Sequence, residues 1–167
     1  QASLGAFLIT KSNLALGVPN EQFFVQVGEV QSRGIEFDIQ GELAPGLSVV
    51  LNYATTNVEV TEDLNPDIVG NRLAGHARHM TNGWVRYSFL DSSPLSGFGV
   101  NLGYQYQVDR ASWSVGANNE SVLPDYFRLD GGVYWGNEKF RVQLNVNNIT
   151  NAYLLSGADF FGLRYWQ

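Results

Sequence analysis

Apolar and polar residues alternate one by one along most of this chain. The clearest example is the segment 139–148, in which Phe140, Val142, Leu144 and Val146 are separated by polar residues. A period of two residues is typical of a β-strand with one apolar and one polar face. Because the alternation recurs in most of the strand-like segments, we expect a barrel whose outer face contacts lipid and whose inner face contacts water.

The alternation predicts seven strands, with an eighth beginning close to the end of the sequence. The longest clean alternation starts at Phe98 and continues to Val108. Residues 151–162 are predicted to form a loop, and residues 164–167 the start of the last strand. The seven segments are 2–13, 22–43, 47–61, 79–89, 98–113, 123–135 and 139–148.

The connections between these strands are alternately short and long. Outer-membrane barrels show this pattern, because their periplasmic turns are short and their external loops are long. Aromatic residues also gather near the strand ends, as in the interfacial belts of membrane barrels. The short connections are 44–46, 90–96 and 136–138, and the longer ones are 14–21, 62–78, 114–122 and 151–162.

Composition narrows the class of protein further. Charged residues make up 16% of the chain, compared with about 25% in average soluble domains. The chain has no cysteine, which excludes a disulfide scaffold and a thiolate metal site. The net charge is −6 and the basic residues form no stripe, which argues against nucleic acid as a partner. Since no apolar run is long enough for a membrane helix, strands are the only route into a bilayer.

The sequence contains no arrangement of residues that points to catalysis. No serine lies in the Gly-x-Ser-x-Gly context of a nucleophile elbow. His76 and His79 are the only histidines, and residues three apart point to opposite faces of an extended chain. We therefore predict no enzyme, no catalytic residue, no metal site and no cofactor.

Three segments resemble one family of membrane proteins. They are Gly28-Glu-Val-Gln-Ser-Arg-Gly-Ile-Glu-Phe-Asp38 with the turn that follows it, the segment 70–79 (Gly-Asn-Arg-Leu-Ala-Gly-His-Ala-Arg-His), and the segment 141–153. In this order and at these spacings they resemble the late barrel of TonB-dependent siderophore receptors. The resemblance spans most of the chain.

This resemblance implies an outer-membrane barrel of about 22 strands with a plugged lumen. Such receptors import scarce ligands such as ferric siderophores, with energy passed from TonB–ExbB–ExbD. Residues 1–167 would form the C-terminal portion of the one barrel domain, roughly strands 15 to 22. The plug and the contacts with TonB would lie in a missing N-terminal part, and the partners would include outer-membrane lipid and lipopolysaccharide.

Ligand contacts are expected from the external loops and the upper lumen. A ferric siderophore is often anionic and rich in oxygen. Arginine provides planar donor forks for such groups, and aromatic rings provide stacking surfaces. The predicted ligand-binding residues are Arg72, His76, Arg78, Arg110, Trp113 and Tyr153.

Two other interpretations remain open from the sequence. A complete eight-stranded outer-membrane barrel with a structural or adhesive role fits the length. A soluble β-sandwich binding module, such as a lectin, fits the alternation if the apolar faces of two sheets meet. Gln1 as the first residue, and a last strand that stops shortly after it begins, favour a fragment of a longer protein.

Overall fold

The computed structural model describes residues 1–17, 21–73, 76–111, 122–159 and 162–166. These residues form β-strands, connections and one 3-10 turn, Pro66–Ile68. In this part of the chain, no helix is long and apolar enough to cross a membrane. The strands are β1 (Ala2–Gly17), β2 (Phe24–Ala44), β3 (Leu47–Glu62), β4 (Ala77–Ser88), β5 (Phe98–Ala111), β6 (Val122–Leu123), β7 (Tyr126–Gly136), β8 (Arg141–Val146), β9 (Leu154–Asp159) and β10 (Gly162–Trp166).

Eight of these strands form one antiparallel sheet. Its order is β1-β2-β3-β4-β5-β7-β8, and the short strand β6 pairs with β5. The strands β9 and β10 form a separate hairpin. This confirms the predicted antiparallel barrel wall of seven to eight strands. Among the described strands, β1 and β8 do not pair with each other, so this part of the chain does not close a small barrel by itself.

The predicted strands agree with the observed ones to within a few residues, with two exceptions. The predicted strand 123–135 is divided, because Pro124 has no backbone N–H to donate to a sheet. The loop predicted for residues 151–162 was wrong, since it contains β9, which pairs with β10. The sequence of β9 lacks a clean alternation of apolar and polar residues, so periodicity did not indicate a strand there. Pairing with β10 is what makes β9 a strand.

The pairing register brings apolar residues of neighbouring strands onto one face. One row across the sheet contains Tyr87, Val100, Val133 and Leu144. The next row, on the opposite face, contains the polar residues Arg86, Asn101 and Asn145.

Few apolar side chains of these strands are buried. Among the described residues they are Ala77, Leu123, Tyr134 and Leu154, whereas Val100, Val133 and Leu144 are exposed. A β-sandwich would bury such a face against a second sheet. The exposed apolar face is instead suited to lipid, as the alternation predicts.

Two large aromatic rings lie on the polar face where glycine leaves room for them. A Cβ atom at Gly103 would lie 1.8 Å from the ring of Trp84. A Cβ atom at Gly99 would lie 2.1 Å from the ring of Tyr134. Only glycine therefore fits opposite these two rings.

The connections at the two ends of the sheet differ in length, with one exception. Because all neighbouring strands are antiparallel, the connections β1–β2, β3–β4 and β5–β7 meet at one end, which we call the loop end. The connections β2–β3, β4–β5 and β7–β8 meet at the opposite end, the turn end. The two longest connections, β3–β4 and β5–β7, lie at the loop end as predicted. The β4–β5 connection (89–97) is longer than the β1–β2 connection (18–23), so the predicted sorting by length holds only in part.

Candidate functional site

A carboxylate at the loop end binds two arginines from different elements. The Arg72 guanidinium donates through Nη1 to Oδ1 of Asp109 at 2.7 Å and through Nη2 to the backbone oxygen of Asp109 at 2.9 Å. Arg78 Nη1 lies 3.6 Å from the other carboxylate oxygen of Asp109. We call Arg72, Arg78 and Asp109 the loop-end cluster.

The backbone of the β3–β4 connection brings Arg72 to this cluster. Residues 70–73 return along β3: the Val60 N–H donates to the Asn71 oxygen at 3.0 Å, and the Leu73 N–H donates to the Val58 oxygen at 2.9 Å. This returning segment pairs Arg72 with Glu59 in a β-bridge. The long connection predicted from its polar sequence is therefore held against the sheet.

The backbone of Asp109 is unusual for a strand residue. Its φ is 53°, in the left-handed region that asparagine and aspartate tolerate better than most residues. The other described non-glycine residues with positive φ are Asn13, Asn148 and Asn151. Asp109 is thus the one carboxylate in this set, and it forms ion pairs with Arg72 and Arg78.

His76 adjoins the loop-end cluster at the end of the same connection. Burial lowers the pKa of His76, and the neighbouring positive charges of Arg72 and Arg78 lower it further against the opposing effect of Asp109. The imidazole is therefore neutral at pH 7 and can both donate and accept a hydrogen bond.

The other histidine lies in a different environment. His79 Nδ1 is 2.9 Å from the hydroxyl of Tyr53, and the two rings are stacked. The register places His79 in line with Thr55 and Val108. The two histidines therefore have different neighbours: His76 adjoins the loop-end cluster, and His79 contacts Tyr53.

Arg110 lies next to Asp109 but is held by the barrel wall. Arg110 is only 5% exposed. Its Nη1 donates to the backbone oxygen of Pro124 at 3.2 Å, and its Cζ lies 5.5 Å from the centre of the Tyr126 ring. These contacts connect the end of β5 with the start of β7.

The remaining predicted residues are placed differently. Tyr153 follows β8 at the loop end and is 83% exposed, so its ring is available to a ligand. Trp113 lies outside the described residues. The structure thus brings together Arg72, His76 and Arg78, and it adds Asp109, which was not predicted. Arg110 instead contacts Pro124 and Tyr126. The available signal was the Asp109-Arg110 pair at the end of the longest alternation.

The charge at this site favours an anionic ligand. Arg72 and Arg78 provide two guanidinium groups, whereas Asp109 provides one carboxylate. Arg78 is the less buried of the two, with 46% of its side chain exposed. Arginine at such a position suits oxygen-rich, negatively charged groups.

Comparisons with known proteins agree with this architecture. The family described as TonB dependent receptor-like, beta-barrel matches residues 1–149. The chain is 32% identical over 165 residues to the ferrichrome outer membrane transporter/phage receptor of Escherichia coli (strain K12), covering 95% of this chain and 21% of that protein. It is 25% identical over 171 residues to the ferrioxamine receptor of Yersinia enterocolitica, covering 98% of this chain and 23% of that protein.

A solved structure shows the same fold. The ferripyoverdine receptor of the outer membrane of Pseudomonas aeruginosa, bound to ferripyoverdine, superposes with a TM-score of 0.78 at 19% identity. The match covers 99% of this chain and 23% of that chain. The chain thus spans less than a quarter of the length of each of these three proteins.

Proposed function

Because this chain belongs to the family of TonB-dependent receptor β-barrels, we propose that it is the C-terminal portion of an outer-membrane transporter that imports a ferric siderophore. The family places the chain in the bacterial outer membrane. The relatives named above are a ferrichrome transporter and a ferrioxamine receptor, which are transport proteins rather than enzymes. Ferrichrome and ferrioxamine are both ferric siderophores, and this supports the ligand class proposed here.

The loop-end cluster is the observation that carries the proposal. Arg72 and Arg78 converge on one carboxylate at the end of the sheet where the long connections meet. Two guanidinium groups beside one carboxylate give the cluster a net positive charge. The Arg78 side chain is exposed and lies 3.6 Å from Asp109, so it can reorient toward a ligand oxygen. An anionic ferric complex would bind Arg78 while Arg72 keeps the loop in place.

The rest of the chain forms part of the barrel wall. The apolar face contacts outer-membrane lipid and, toward the loop end, lipopolysaccharide. The polar face lines the lumen through which the ligand passes. Energy would come from TonB–ExbB–ExbD, contacted through a part of the receptor outside residues 1–167.

Uptake of iron tests the proposal. The full-length receptor is expressed in an Escherichia coli strain without its own siderophore receptors, and radioactive iron is supplied as ferrichrome, ferrioxamine B, ferric citrate or a ferric catecholate. We expect uptake from at least one complex, and we expect it to require TonB. Uptake from none of them, with the receptor present in the outer membrane, would refute the siderophore assignment.

A matched pair of variants tests the site. Arg78→Gln removes the exposed cation of the loop-end cluster and should weaken binding of the transported complex by about tenfold, as for the loss of one charge-assisted hydrogen bond. Lys139→Gln removes an exposed cation at the turn end and should leave binding unchanged. Equal binding by both variants would exclude Arg78 from the site.

A further inference from the structure

A second arginine cluster lies at the turn end, on the polar face. Tyr134 is 7% exposed and stands at its centre. Its hydroxyl oxygen accepts hydrogen bonds from Arg86 Nε at 3.0 Å and Arg86 Nη2 at 2.9 Å, and it lies 2.6 Å from Ser88 Oγ. The guanidinium carbons of Arg86 and Arg141 lie 4.6 Å and 5.1 Å from the centre of the Tyr134 ring. We call Arg86, Arg141 and Tyr134 the turn-end cluster.

The sheet builds this cluster in advance of any ligand. Tyr134 lies flat because Gly99, its partner on β5, has no side chain in the way. Arg86 and Ser88 come from β4, two strands away from Tyr134. Three neighbouring strands therefore fix the ring, and the ring fixes the guanidinium of Arg86 by hydrogen bonds and a cation–π contact.

The charge of the turn-end cluster is not balanced. In the part of the chain that the structure describes, Arg86 and Arg141 contact Tyr134 but no carboxylate. Two guanidiniums beside one ring repel each other, and a shared anion between them removes that cost. The described arginines that do form ion pairs with carboxylates are Arg33, Arg72, Arg78 and Arg128.

We propose that the turn-end cluster is a carboxylate-binding site on the lumen wall, separate from the loop-end cluster. Arg86 uses Nε and one Nη nitrogen for Tyr134, which leaves its other Nη nitrogen for the ligand. Arg141 uses no donor in hydrogen bonds to the described residues. The two guanidiniums offer the forked donors that a carboxylate accepts. The carboxylate comes either from the receptor's own polypeptide or from a solute in the lumen.

Carbodiimide coupling in the purified full-length receptor tests this proposal. Arg141→Lys places an amine at the cluster. The carbodiimide joins this amine to a carboxylate in contact with it, and the reagent becomes a urea by taking up the water that is lost when the amide forms. Arg128→Lys is the positive control, because Arg128 contacts Asp130 at 2.8 Å. Arg141→Gln is the negative control, and Arg86→Lys is the second variant if the first does not assemble. Heat-modifiable migration on a gel shows which variants form the barrel.

The outcomes separate the two sources of the carboxylate. A cross-link from the lysine at position 141 to an aspartate or glutamate of the same receptor, absent in Arg141→Gln, supports a carboxylate of the polypeptide, as does a cross-link from the lysine at position 86 that is absent in the native receptor. The coupling is repeated with citrate added as a probe of solute carboxylates. Without the cross-link, a citrate adduct at position 141 in excess over the adduct at native Lys139 supports a solute carboxylate. Neither product, while Arg128→Lys couples to Asp130, overturns the proposal. This readout does not use transport, so its failure is distinct from failure of the proposed function.

Discussion

Replacing Asp109 by asparagine isolates the charge that holds the β3–β4 connection. Asparagine has the same shape and tolerates the left-handed φ of 53° at this position, so the backbone is not strained by the change. The backbone oxygen of Asp109 also still accepts from Arg72 Nη2 at 2.9 Å. What is lost is the charged part of the bond to Arg72 and the ion pair with Arg78.

The structure sets the size of the effect. The bond between Arg72 and the Asp109 carboxylate is short, at 2.7 Å, and the Arg72 side chain is only 15% exposed. A hydrogen bond to a charged group contributes about 1.5–3 kcal/mol, but the Asp109 side chain is 36% exposed. The Arg78 pair is longer and more exposed, so it adds about 0–1 kcal/mol. We expect Asp109→Asn to destabilise the closed connection by about 1–2 kcal/mol, a factor of about 5–30 in its opening equilibrium.

Hydrogen exchange in the full-length receptor measures this opening directly. The amides of Val60, Gly70 and Leu73 donate in the hydrogen bonds between β3 and the returning segment, and they should exchange about 5–30 times faster in Asp109→Asn. Asp91→Asn is the control, because Asp91 is exposed at the turn end and, among the described residues, its side chain accepts only from Ser96 at 3.3 Å. Unchanged exchange at these amides in Asp109→Asn would refute the role given to the loop-end cluster.

Two further predictions concern the polar face and the response to pH. Gly103→Ala places a methyl group 1.8 Å from the Trp84 ring and should destabilise the folded barrel by about 1–3 kcal/mol in urea unfolding. Gly5→Ala meets nothing within 4 Å and should leave the unfolding midpoint unchanged, so equal midpoints for both variants would contradict the packing described here. His76 has its pKa lowered below the ordinary 6.5, mainly by burial, so the closed connection favours the neutral ring. Its contribution to stability is complete above pH 6.5 and is lost as the pH falls below that value. Amide exchange in the β3–β4 connection, corrected for intrinsic rates, should therefore accelerate on acidification in the native receptor and accelerate less in His76→Asn. An identical response of the two proteins would contradict the role given to His76.

The alternation allowed the strands and their faces to be predicted. In β5 it extends over most of the strand, and a shift by one residue would exchange the lipid face with the lumen face. Part of β10 was predicted as the start of the last strand, but its partner β9 was missed because its residues carry no clean alternation. Periodicity reports which face a residue occupies, but it does not report which strand will be its partner.

The same limit explains what was missed at the candidate site. Arg72 and Arg78 stand out in a long polar connection, so their charge alone marked them as candidates. Asp109 looked like one more polar residue on the lumen side of an alternating strand. Its contacts depend on the tertiary structure: the register places Asp109 beside β4, and the returning segment places Arg72 against its carboxylate.

Accessibility along β5 tests the lipid-and-lumen arrangement most directly. Residues 1–167 contain no cysteine, so single cysteines can be placed in this region of the receptor once any others are removed. With the receptor in lipid bilayers, we predict that Gln105→Cys reacts with a small water-soluble thiol reagent, whereas Leu102→Cys does not and instead contacts spin-labelled lipid. Reaction of Leu102→Cys with the water-soluble reagent, together with lipid contact at Gln105→Cys, would contradict the assignment of the two faces.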